Sequence, residues 1–145
     1  MSAVDPSELL ADPAQAGAYF VDARDAQALA DAAAGLDFAV ARIDFAGCAG
    51  KDDALERIAR GLRFPEWFGG NWDALSDSVN DLSWWPAPGY LLLIERAGPW
   101  QAAHADDASV LIEILNDAAQ DWAKARVPFW ALLPLPEAEL AQMAP

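Results

Sequence analysis

Along residues 72–82 the apolar positions fall at Trp72, Leu75, Val79 and Leu82, spaced 3, 4 and 3. That is one face of a helix. Gly69 and Gly70 mark a turn before it, and Asn71 is a good N-cap residue. The same stretch carries a second stripe, Asp73, Asp77 and Asp81, each four residues from the last. Like charges at that spacing cost a helix a few tenths of a kcal/mol per pair, and only Asp73 is placed to gain from the helix dipole. Folding alone gives no reason for such a row, and a cationic partner is its simplest explanation.

The rest of the chain alternates between buried-strand and amphipathic-helix patterns. Residues 1–17 predict a short helix and a loop punctuated by Pro6 and Pro13, and Tyr19 to Asp22 a short strand. Residues 25–36, DAQALADAAAGL, predict an alanine-rich helix stopped near Gly35. Residues 38–45 alternate as a strand, and a turn at Gly47 to Gly50 leads into a helix over 52–62. After the acidic helix, SWWPAPG forces a loop, and YLLLI at 90–94 suits a strand covered on both faces. Residues 107–124 form the strongest remaining helix, with Val110, Leu111, Ile114, Leu115, Ala118 and Trp122 inward. FWALL at 129–133 predicts a last buried strand, with Pro134 and Pro136 ending the regular fold before a short tail. Strands separated by helices imply parallel pairing with right-handed crossovers. The expected fold is therefore α/β: a small parallel sheet of three core strands packed by helices, with the Tyr19 strand as a fourth at an edge.

Composition narrows the function classes. At 145 residues, 54% hydrophobic and with seven tryptophans, the chain has enough apolar material for one sizeable core. Its 23 acidic and nine basic residues give a formal charge of −14. That sign repels nucleic acid and anionic membranes and steers cationic partners inward; it also keeps a tryptophan-rich protein soluble. Cys48 is the only cysteine and His104 the only histidine, so no internal disulfide and no His/Cys metal cluster can form. Cys48 fits a small loop residue better than a nucleophile. The N-terminus has no basic region of a secretory signal, and no apolar run approaches the ~20 residues of a membrane span. A cytoplasmic protein without cofactor or metal is expected.

The segment PEWFGGNWDALSDSVNDL, the helix before it and the order of elements after it resemble the barstar family, intracellular inhibitors of a secreted bacterial ribonuclease. The likeness spans roughly residues 39–135. It implies a domain at 39–136 with a three-layer fold, preceded by an extension at 1–38 and followed by a tail at 137–145. It also implies a function: binding a ribonuclease over its active site and excluding RNA. In the family, this helix and the loop before it form the inhibitory surface. By that resemblance Trp67, Asp73 and Asp77 face the partner, with Asp77 inserted deepest, while Gly70, Asn71, Ser76 and Asp81 on the same turn and helix complete the candidate partner-binding set. A further acid comes from the following long helix, where the register gives Asp117, or Asn116 if it slips by one. Two departures concern the partner's identity. Ser76 stands where the family often carries an aromatic side chain, and the helix carries Asp81 toward its end, before an SWWPAPG loop longer and more aromatic than the family's. Contact changes of this kind are how related inhibitors discriminate among targets.

Two rival readings remain from the residues alone. Asp73 and Asp77 could serve as an acid–base pair or hold a divalent cation, although no nucleophile, glycine phosphate loop or histidine accompanies them. Alternatively the chain is an acidic interaction module for a basic protein that is not a nuclease. A monomer in the free state is expected for a blocking protein.

Overall fold

The computed structural model describes residues 6–65 and 70–142. Its strands are β1 (Ala18–Asp22), β2 (Ala39–Asp44), β3 (Tyr90–Glu95) and β4 (Phe129–Leu135). They make one parallel sheet in the order β1-β4-β3-β2. The helices are α1 (Pro6–Leu10), α2 (Ala26–Gly35), α3 (Lys51–Gly61), α4 (Trp72–Asp81), α5 (Gly98–Ala103), α6 (Ala105–Lys124) and α7 (Glu137–Gln142). The expected edge strand is present: β1 lies outside β4, with Ala18 opposite Ala131. None of the helices among the described residues is long and apolar enough to cross a membrane.

The unbroken apolar runs of β3 and β4 follow from burial on both faces. Leu91, Leu93, Trp130 and Leu132 point to one side, where they meet Leu10 of α1 and Ala30 and Ala33 of α2. Tyr90, Leu92, Ile94, Phe129, Ala131 and Leu133 point to the other, into the larger core built with α3, α4, α5 and α6. The result is three layers, helix on sheet on helix. By contrast β2 is a half-buried edge, with Arg42 and Asp44 exposed in alternation with buried Ala41 and Ile43.

Three features depart from expectation. Pro134 does not end the fold but sits inside β4, opposite Val21. The N–H of Ala131 points to β1, bonding the Gly17 carbonyl, so two-residue alternation aims the nitrogen of Pro134 at the β3 side. There the pairing has already stopped, at Leu93 opposite Leu132, and no ladder bond is lost. Secondly, α5 lies between YLLLI and the long helix, where the sequence predicts no element, with Pro99 in its first turn. Thirdly, α2 ends at Gly35 as expected, but the glycine is not its left-handed cap. Asp37 takes the left-handed conformation at φ 63°, and the next N–H, of Phe38, reaches back to the Ala33 carbonyl. The same ending closes α3 through Arg63 and Phe64, and α6 through Arg126 and Val127. These are Schellman-type stops built without glycine, each followed by an apolar residue.

At the end of β1, Asp22 accepts hydrogen bonds from the backbone and guanidinium of Arg24, the latter at 2.6 Å. Those bonds hold its carboxyl below the ordinary 3.8, at about 2. A depressed folded-state pKa means the stabilisation is full above about 4 and is lost as pH falls through about 2. An NMR pH titration should find the Asp22 midpoint near 2, and Arg24→Ala should return it toward 3.8.

Candidate partner-binding surface

The aim of α4 is set at its first residues. Gly70 adopts φ +70°, a conformation other side chains rarely take. Asn71 follows in an extended conformation, and its Oδ1 accepts the Ala74 N–H at 2.7 Å. This is the predicted N-cap, and it satisfies one of the orphan donors at the helix start. Asn71→Ala should lower stability by about 1 kcal/mol, visible as a reduced urea midpoint with an unchanged slope.

The apolar stripe seats the helix. Leu75 and Val79 are fully buried, Leu82 nearly so, and Trp72 is half-buried. Ser78 joins them, with its Oγ buried and without a hydrogen-bond partner. α4 packs on α6, and Trp122 of α6 donates its indole N–H to the Val79 carbonyl at 2.8 Å. That carbonyl lies in the last turn, where helical acceptors have no partner of their own. Leu82 ends the helix in the left-handed conformation at φ 50°. Beyond it, Trp84 bonds the Leu62 carbonyl, and the Tyr90 hydroxyl donates to the Trp85 carbonyl. Both tryptophans pack against the core, as residues covering one end of the sheet.

With that stripe inward, Asp73, Asp77 and Asp81 face outward, and all three are exposed. Each step of four residues advances about 6 Å and rotates about 40°, so the acids form a gently winding row rather than a converging cluster. Asp81 accepts a hydrogen bond from the Ser83 hydroxyl at 3.3 Å. None of the ion pairs among the described residues involves the row. Six of the nine cations are engaged elsewhere: Arg24 with Asp22, Arg42 with Glu95, Arg57 with Asp53, Arg60 with Glu56, Arg96 with Asp44, and Lys124 with Asp121. Arg63 lies 4.5 Å over the Trp85 ring. The chain's positive charge is thus largely paired, and its uncompensated negative charge includes one helix face.

The remaining candidate positions fall as follows. Ser76 is half-buried on the flank of α4, and its carbonyl accepts from the Asn80 amide at 2.7 Å. Asn116 uses its side-chain oxygen to hold the Ala18 N–H at 2.7 Å, fastening β1 to α6. Asp117, 100° further round the helix, is exposed. Trp67 lies outside the described residues. Cys48 is half-buried, its thiol directed at the Gly50 carbonyl at 3.6 Å and its pKa pushed up by burial. No group of three His, Cys, Asp or Glu side chains among the described residues is placed to hold a metal ion. The indole ties made by Trp122 and Trp84 had no sequence signal beyond an apolar position.

A family model described as "Barstar (barnase inhibitor)" matches residues 38–134. The chain belongs to the barstar family. The barstar match begins just before β2, runs through β4 and includes the whole acid row; α1, β1 and α2 precede it. No curated protein matches. Among solved structures, the ORC2 protein of Aeropyrum pernix, described with ADPNP and ADP, superposes with a TM-score of 0.54 at 17% identity. The likeness covers 88% of this chain but only 37% of that one, and at such identity it speaks to the fold alone.

Proposed function

We propose that this barstar-family chain is an intracellular ribonuclease inhibitor of the antitoxin or immunity type, not an enzyme, and a monomer when free. In this reading it lays α4 across the cationic active site of its target and keeps RNA out. The observation that carries the reading is the row of Asp73, Asp77 and Asp81, exposed on one rigid helix face with no cation of the chain paired to it among the described residues.

A ribonuclease groove must hold phosphates, so it presents Arg, Lys and His side chains. Carboxylates fixed about 6 Å apart can meet several of those cations at once with charge-assisted hydrogen bonds. Because α4 is already capped and packed, little ordering cost falls on association. The formal charge of −14 raises the encounter rate, while desolvated charge pairs slow dissociation. Asp77 sits mid-row, where surrounding contacts best exclude water, so it is the anchor, with Asp73, Asp81, Asp117 and Trp67 around it. Gly70 and Asn71 act by fixing the direction of the helix. Ser76 leaves room where a relative's ring would stand, and selects a target with a correspondingly fuller groove wall.

The deciding experiment combines co-expression with candidate toxic ribonucleases and an RNA-cleavage assay on the purified pair. Rescue of growth, stoichiometric inhibition and an association rate that falls steeply with added salt are the expected results. Failure to inhibit any ribonuclease, alongside tight binding of a basic protein without nuclease activity through the same acids, would replace this reading with that of a general acidic interaction module.

A further inference from the structure

The second notable surface lies on the opposite side of the sheet from α4. There the short α1 and the alanine-rich α2 leave part of β1 uncovered beside the buried β4. Leu9, Leu10, Tyr19, Leu29, Trp130 and Leu132 wall an open groove of about 390 Å³, in the size range of ligand pockets. Leu9 and Tyr19 are the large apolar side chains exposed among the described residues, and both belong to this one groove. Apolar exposure gathered in one place marks an interaction site more often than scattered exposure does. Its walls are held in position: the Tyr19 hydroxyl donates to the Gln15 carbonyl at 2.7 Å, its ring leans on Trp130 at 5.8 Å, and the Trp130 indole donates to the Leu10 carbonyl.

The charge around the groove is one-sided. Residues 1–38 carry seven acids (Asp5, Glu8, Asp12, Asp22, Asp25, Asp31 and Asp37) against the single Arg24. That arginine is already paired with Asp22. Glu8, Asp12, Asp25 and Asp31 are exposed on or beside the same elements that form the walls. An apolar slot framed by carboxylates suits apolar anchors carried on a positively charged chain. A second copy of this protein, itself at −14, and an anionic lipid surface are both opposed by repulsion.

We infer that this groove is a second docking surface, which takes leucine or aromatic side chains of a cationic amphipathic polypeptide segment. It is built mostly by residues before the barstar match and lies in the other helical layer from α4, so both surfaces can be occupied together. It does not depend on what the acid row binds.

The test uses the full chain and two synthetic 16-residue helical peptides of equal charge, one of lysine and leucine, the other with every leucine replaced by serine. Titration at physiological salt should show the leucine peptide binding at least about tenfold tighter, from the apolar area it buries. The double variant Leu9→Ser, Tyr19→Ser should abolish that preference, whereas Asp73→Asn, Asp77→Asn should leave it intact. On the unaltered protein, methyl NMR shifts on adding the leucine peptide should centre on Leu9, Leu29 and Leu132, which keeps the test valid if the double variant unfolds. Equal affinity for both peptides would overturn the assignment, as would methyl shifts centred on α4. So would a concentration-dependent dimer of the protein alone that the double variant dissolves.

Discussion

Asp77→Ala is expected to weaken the complex with the target ribonuclease by about 2–5 kcal/mol, the cost of leaving a desolvated cation without its partner. The barstar family's namesake complex is among those that set that range. The change corresponds to roughly thirty- to several-thousandfold in Kd, mostly through faster dissociation. Stability should move the other way. The Asp77 side chain is exposed, and its like-charged neighbours lie at four residues on either side. Removing it relieves a few tenths of a kcal/mol of repulsion and puts a better helix former in its place. The pair of measurements is binding kinetics by surface plasmon resonance and a calorimetric melt. A lowered Tm with an unchanged Kd would show that Asp77 serves the fold and not the partner.

Leu75→Ala, two positions earlier on the same helix, should do the reverse. Leu75 is wholly buried in the core that joins α4 to the sheet and α6. Truncating it removes apolar contacts and leaves a cavity, at a cost of about 2–5 kcal/mol, a large part of the roughly 5–15 kcal/mol that holds a domain folded. The urea midpoint should fall sharply. Well below the new melting temperature the association rate should stay near its original value, since the acids sit on the other side of the helix and the charge is unchanged. A variant of normal stability would mean that α4 is not seated through this stripe.

The opposed effects of these neighbouring positions were legible in the sequence because two periodicities overlap in it, an apolar one of 3 and 4 and an acidic one of 4. The runs YLLLI and FWALL likewise revealed a sheet covered on both faces, since no half-solvated strand is apolar at every position. The parts that escaped depend on geometry a pattern does not carry. GPWQAA is too short to show a period, so the sequence gives no sign of α5. Pro134 looked like a stop because its tolerance in β4 depends on which side its nitrogen faces and where the β3 ladder ends. At these helix ends Asp37, Arg63 and Arg126, rather than glycine, take the left-handed position, held by the apolar residue that follows each. The internal task of Asn116 could be seen only once β1 was known to lie beside α6. The acid row could be named from the sequence, but the engagement of the arginines elsewhere could not.

β4 reads FWALLPL and is buried along its whole length. Its outer hydrogen-bonding side is covered by β1, which comes from the stretch ahead of the barstar match. Without that cover, the uncharged stretch from Ala131 to Leu135 would become a bare border, a template for stacking chain upon chain. The opening residues thus act as a guard against aggregation, and a chain cut back to residues 38–134 is expected to self-associate where the full chain does not.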